Sequence, residues 1–258
     1  MTVMLSPRLI LPLVACLAFL AGCPVPYSDT PISEMRLTDE VTGTRYHVYV
    51  PSTYDAARRW PLVVTLHGTH GFDDSQRQAQ EWKGLAEQYG FIVLAPPLAS
   101  PQGVLPVSQA WMTEKLAQDE QVVLAQLADM KRRYSIDERA VLLSSFSAGG
   151  YAMYYIGLRH PELFTALAAR SCSSNLEAVK AIPLTDQARA LPIFIYFGKS
   201  GVNPVASGLS PIANESWATY RHLRENKCLK AELKAIDGGH ERRPEIAYRW
   251  WRKLWPKE

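Results

Sequence analysis

The chain has 258 residues, 28 Lys and Arg against 25 Asp and Glu, and a formal net charge of +3. That balance is too close to neutral for a nucleic-acid-binding protein, and the basic residues are scattered. The one dense spot, Lys131-Arg132-Arg133, is expected at a helix C-terminus, where cations oppose the dipole. An apolar content of 47% and a charged content of 21% describe an ordinary globular protein with enough chain for one domain and a real core. None of the 4 cysteines has zinc-ligand spacing, and no internal repeat or low-complexity stretch is present.

Arg8 supplies a positive start, residues 9–20 an apolar stretch, and Leu20-Ala21-Gly22-Cys23 its end. The stretch is short for a membrane span, which needs about 20 residues. It fits a secretory signal peptide over residues 1–22. The tetrapeptide resembles a bacterial lipobox, which implies cleavage before Cys23 and lipid attachment to its sulfur. Two or more acyl chains anchor a protein durably where one does not. Residues 23–40 carry a polar, proline-bearing stretch that reads as a tether, and the folded domain is expected over 41–258. The protein is therefore expected to be exported and lipid-anchored to the bacterial cell envelope, on its periplasmic or extracellular face. Cys172 and Cys228 would remain in a compartment where a disulfide persists, but spacing alone leaves their pairing open.

Within the domain, residues 46–50 alternate as a strand does, and 61–66 form a short β-branched run expected to be a buried strand. It ends at His67-Gly68-Thr69-His70-Gly71. Residues 76–89 read as a helix stopped by Gly90, and 91–95 as the next buried strand. Residues 98–112 are irregular. Asp119 is expected to start a helix to Tyr134. A strand at 140–143 runs into Ser144-Ser145-Phe146-Ser147-Ala148-Gly149-Gly150, and a helix follows to His160, before Pro161. Further strands are expected within 163–170, over 192–197 and over 231–236. Helices are expected over 215–226, with Trp217, Tyr220 and Leu223 inward, and over 245–255, with Ile246, Trp250 and Leu254 on one side. Trp82, Trp217, Trp250 and Trp251 are assigned to packing. Alternating short apolar strands and amphipathic helices imply a mostly parallel sheet covered on both faces, with the active site at the carboxyl ends of its strands.

A serine at the apex of a tight strand-to-helix turn is held with its hydroxyl outward, and the turn demands small flanking residues. The usual pattern is G-x-S-x-G; here Ser145 stands in the place of the first glycine and Ser147 at the apex. A serine hydroxyl is a weak nucleophile and needs an adjacent base. Of 6 histidines, His240 alone sits in a Gly-Gly loop after the last expected strand, Asp237-Gly238-Gly239-His240, and is the best base. His47, His160 and His222 have structural or surface positions. Acyl transfer also needs backbone N–H donors aimed at the developing oxyanion. Ala148, after the nucleophile, and Thr69, after the early strand, are the candidates.

The stretches 61–68, 134–139, 145–150 and 160–164, together with Gly238-Gly239-His240, resemble the α/β-hydrolase superfamily. Within it, they resemble the esterase family that includes polyhydroxyalkanoate depolymerases and feruloyl esterases. The resemblance implies an α/β-hydrolase fold, the chain order nucleophile, acid, histidine, and no metal or organic cofactor. Relatives typically carry an aspartate in Gly-x-x-Asp after the strand at 193–197, and it orients the histidine. Here the segment is Gly198-Lys199-Ser200-Gly201. Loss of that carboxylate costs about 10⁴ in turnover in the serine-protease case. Asn203, Glu177 and Asp237 are the possible substitutes, and the sequence does not choose among them. The expected function is a serine carboxylesterase acting on a small-molecule or polymeric ester. The alternatives are a catalytically impaired binding protein on a hydrolase scaffold and a serine peptidase of the same fold.

Overall fold

A computed structural model describes residues 35–101, 108–200 and 211–256. The signal segment, Cys23, Gly201 and Asn203 lie outside the described residues. Among the described residues, eight strands form one sheet: β1 (Met35–Thr38), β2 (Arg45–Tyr49), β3 (Trp60–Leu66), β4 (Ile92–Ala95), β5 (Ile136–Phe146), β6 (Ala166–Arg170), β7 (Ile193–Gly198) and β8 (Ala231–Ile236). Their order across the sheet is β1-β2-β4-β3-β5-β6-β7-β8. β1 and β2 run antiparallel to their neighbours, and β4 through β8 are parallel. Of the parallel strands, β3, β4, β6 and β7 are near-continuous apolar runs because both of their faces are buried, whereas β8 exposes Glu232, Lys234 and Ala235.

Seven helices cover the sheet: α1 (Ser75–Tyr89), α2 (Gln109–Arg133), α3 (Gly150–Arg159), α4 (Leu176–Lys180), α5 (Asp186–Ala190), α6 (Pro211–Glu225) and α7 (Pro244–Trp251) among the described residues. Alternate strand residues serve opposite faces. Val63, Val93, Leu142, Ala168 and Tyr196 pack with Trp82 and Ala86 of α1 and Tyr248 and Trp251 of α7. Leu62, Val64, Leu94, Leu143 and Ile195 pack on the other face with Leu116 and Leu127 of α2, Ile156 of α3 and Leu223 of α6. Helix ends follow local chemistry. The Asp74 carboxylate accepts the Arg77 N–H at 2.8 Å to start α1, and Gly90, at φ +73°, closes it by donating to the Ala86 carbonyl.

Several expectations are corrected. The sheet begins at Met35, so the folded domain starts before residue 41 and includes the end of the stretch read as a tether. α2 begins at Gln109, not Asp119, and Ser108 caps it by accepting the Trp111 N–H at 3.1 Å. Asp119 lies inside the helix, buried, and its carboxylate accepts the Ala99 and Ser100 N–H groups at 2.5 and 3.1 Å. Its polar side chain serves the loop after β4 rather than a cap. On α6 the inward face runs through Ala213, Ser216, Thr219 and Leu223, and Trp217 is 43% exposed. Thr219 faces inward because its hydroxyl shares a 2.6 Å hydrogen bond with Ser174, which hydrophobicity alone does not reveal. Helix α7 stops at Trp251, and a 3-10 turn (Arg252–Leu254) breaks its period and leaves Leu254 exposed. Cys172 and Cys228 are both buried and both free.

Candidate active site

Ser147 directly follows the last residue of β5 and sits at φ +53°, the left-handed region that a serine rarely adopts. A short 3-10 turn (Ser147–Gly149) then leads into α3. The turn packs so close to the end of β3 that a Cβ on Gly149 would lie 2.5 Å from the His67 carbonyl oxygen and 2.8 Å from that of Leu66. Only glycine permits this approach. Ser145 fits where glycine is usual. It is fully buried, its hydroxyl donates to Met153 Sδ at 3.1 Å, and it lies 3.0 Å from Cys172 Sγ. A hydroxyl is small enough for the space between β5 and α3.

His240 arrives from the end of β8. The loop before it crosses the tip of β7, where a Cβ on Gly198 would lie 1.9 Å from the Gly239 carbonyl oxygen. This close crossing delivers His240 Nε2 to 3.0 Å from Ser147 Oγ. The imidazole stacks on Phe146, the residue before the serine, with centroids 4.7 Å apart. Burial, and then the neighbouring Arg242 guanidinium, pull the His240 pKa down to about 4, while Asp73 acts in the opposite direction. The ring is thus neutral at pH 7, as an acceptor of the serine proton must be.

The other expected residues fall as follows. Thr69 opens a turn after β3 whose carbonyl accepts the Phe72 and Asp73 N–H groups at 3.1 and 3.0 Å. Ala148 is buried in the 3-10 turn directly after the serine. The two therefore flank the Gly149 crossing, one from each strand end. His67 is a strut. Its Nε2 accepts the Leu98 N–H at 2.8 Å, so Nδ1 carries the proton and donates to the Gly68 carbonyl at 2.8 Å. His70 bonds the Leu98 carbonyl at 2.7 Å, His47 the Ser75 hydroxyl at 2.8 Å, and His160 pairs with Glu120 at 2.8 Å. Two of the candidate acids are not brought to the half-buried histidine. Glu177 is exposed and pairs with Lys180 at 2.9 Å; Asp237 is exposed and pairs with Lys199 at 2.9 Å. No Asp or Glu occurs between Asp186 and Glu215, so the loop after β7 supplies no carboxylate.

Sequence reasoning missed a buried polar cluster under the site. Arg170, at the end of β6, donates to Glu81, to Gln78 Oε1 at 2.7 Å and to Ser144 Oγ at 3.0 Å. Arg242 pairs with Asp73 at 2.9 Å and with Glu81 at 3.1 Å. The available signal was Arg170 itself, an arginine ending an otherwise apolar strand. A buried arginine requires acidic partners. A separate cleft of about 1060 Å³ lies at the opposite pole, lined by residues including Trp60, Glu87, Asp137, Arg139 and Trp255. It contains neither Ser147 nor His240.

A mostly parallel sheet with a left-handed serine after β5 and a histidine after β8 defines the α/β-hydrolase fold. The model of the esterase PHB depolymerase family matches residues 44–192, and the chain belongs to that family. It is 29% identical over 160 residues to the bifunctional acetylxylan esterase/xylanase XynS20E of Neocallimastix patriciarum, covering 62% of this chain and 22% of that one. It is 28% identical over 129 residues to acetylxylan esterase A of Aspergillus ficuum, covering 50% and 42%. The chain thus spans less than half the length of these curated relatives. The solved ferulic acid esterase AmCE1/Fae1A of Anaeromyces mucronatus superposes with a TM-score of 0.62 at 16% identity, over 90% of this chain and 94% of that one, and shares the fold.

Proposed function

We propose that the protein is a serine esterase that cleaves carboxylic esters through an acyl-enzyme on Ser147. The 3.0 Å approach of His240 Nε2 to Ser147 Oγ carries this reading. In the first half-reaction the Ser147 hydroxyl passes its proton to Nε2 as Oγ bonds the ester carbonyl carbon. The Thr69 and Ala148 amides stabilise the oxyanion that forms. The carbonyl re-forms, the bond to the alcohol oxygen breaks, and the imidazolium returns the proton to that oxygen. Water then repeats the sequence on the acyl-serine and releases the acid. Every group in this scheme belongs to the protein, the ester or water.

Family membership and relatives named acetylxylan esterase support an ester substrate. Acetyl and hydroxycinnamoyl esters of plant polysaccharide are the substrate class proposed. The amino-terminal pattern Leu20-Ala21-Gly22-Cys23 supports an envelope enzyme held by acylated Cys23, with the ester outside the cytoplasm.

The test is hydrolysis of p-nitrophenyl acetate, p-nitrophenyl butyrate and methyl ferulate by the soluble form lacking Cys23, beside Ser147→Ala. Turnover in the wild type that falls by about 10³ or more in the variant is the expected outcome. Equal, near-background rates in both would overturn the esterase reading and leave a binding scaffold.

A further inference from the structure

We infer that Asp73 is a positioning residue of this site, a carboxylate that ties the oxyanion loop to the histidine loop. The inference rests on the esterase reading and adds a residue that neither the serine motif nor the expected acid positions contain. Asp73 is buried at the end of the turn that Thr69 opens. Its Oδ2 accepts the Gly68 N–H at 2.7 Å and the Gln78 side-chain amide at 2.9 Å. Its Oδ1 pairs with Arg242 Nη1 at 2.9 Å. One carboxylate therefore holds the residue before Thr69 and, through Arg242, the segment that carries His240.

The nucleophile and this carboxylate both close in on Gly68. A Cβ placed on Gly68 would lie 3.0 Å from Ser147 Cβ and 3.4 Å from Asp73 Oδ2. The guanidinium of Arg242 sits over Phe146 at 4.6 Å, and the His240 imidazole stacks on that ring too. Arg242 and His240 therefore rest on one ring, and freeing Arg242 would loosen the segment that sets the imidazole on Phe146. Charge adds to geometry. The groups whose fields reach His240 among the described residues are Arg242, which opposes the imidazolium, and Asp73, which favours it. Asp73 thus partly offsets the guanidinium at the moment the histidine takes up the serine proton. In a chain with no acidic residue between 187 and 214, this gives an aspartate before α1 a charge that acts on the histidine.

Asp73→Asn tests it, because asparagine keeps an acceptor for the Gly68 N–H and removes the charge facing Arg242. Three readouts are taken on the full exported chain: kcat and KM on p-nitrophenyl acetate, the imidazole titration of His240 by NMR (assigned with His240→Gln), and peptide-level hydrogen exchange. The expected result is a kcat lower by about ten- to a hundredfold with KM within about twofold, a geometry loss rather than a binding loss. His240 should titrate at lower pH than in the wild type. Exchange should rise in residues 66–73 and 237–243 and stay unchanged in the strands. Arg242→Lys, which keeps a cation but loses the bridge between two carboxylates, should lower kcat in the same direction. It takes the place of Asp73→Asn if that variant does not fold. The double variant should lose no more than the worse single, since both remove one link. Wild-type kcat together with an unmoved His240 titration would sink the inference. If the wild type itself shows no turnover, the esterase reading fails, and the titration and exchange arms still decide whether Asp73 holds both loops.

Discussion

At Ser147 the backbone and the chemistry make opposing demands. A φ of +53° costs an L-residue roughly 1–2 kcal/mol relative to glycine. Ser147→Ala and Ser147→Gly both remove the hydroxyl, but only alanine retains the Cβ. The glycine variant should be more stable than the alanine variant by about 1 kcal/mol once its larger unfolded-state entropy is counted, and denaturant titration of the pair measures this. His240 sets the pH response. With its pKa near 4, the ring stays neutral and able to accept a proton until the solution becomes quite acidic. The acid limb of kcat/KM should therefore fall near pH 4, well below the ordinary histidine value of about 6.5. The sign for stability follows from the same depression. Below about 6.5 the unfolded chain takes up a proton that the folded chain refuses, so stability is lost as pH falls toward 4. His240→Gln should flatten that part of the melting-temperature profile.

At the scale of elements, the site is made by strand ends pressed closer than side chains allow. Gly149→Ala would drive a carbon into the backbone of His67 and is expected to lower turnover about a hundredfold or more. Gly84→Ala, on the exposed side of α1 with nothing within 4 Å, should leave activity unchanged and serves as the control. Arg170→Met would strip Glu81 of one of its two guanidinium partners. Breaking a buried pair of this kind costs about 3–5 kcal/mol, or about 10 °C of melting temperature in a domain of this size. These contacts mark the boundary of what the sequence disclosed. The serine turn was legible because an apolar strand stops at small residues, and His240 because a Gly-Gly loop follows the last strand. The cluster of Asp73, Glu81, Arg170 and Arg242 was not, since Arg242 and Glu81 are 161 residues apart and no local pattern joins them. Asp119 and Trp217 misled for a shared reason: local preference for a cap or a core position yielded to a tertiary hydrogen bond made elsewhere.

At the scale of the whole molecule, β3, β5 and β8 each contribute one part of the site, and the alternation of strands and helices foretold that arrangement. What periodicity could not show was the spatial order of the strands, which depends on crossovers, or the early strand Met35–Thr38 added beyond β2. The proposed envelope anchor is tested at this scale as well. Cys23→Ser should abolish incorporation of radiolabelled palmitate and release the protein into the soluble fraction, with kcat on p-nitrophenyl acetate unchanged. One further consequence follows from where β8 lies. Among the described residues it is the last strand of the sheet, bonded to β7 on one side only, and the loop after it carries the histidine. Edge elements open at lower free energy than the centre of a sheet. Gentle urea should therefore separate the imidazole from the serine while the central strands and their tryptophans remain packed. Turnover on an ester would fade before the main fluorescence change, with only Trp250, whose indole donates to Glu232 of β8 at 3.0 Å, responding early.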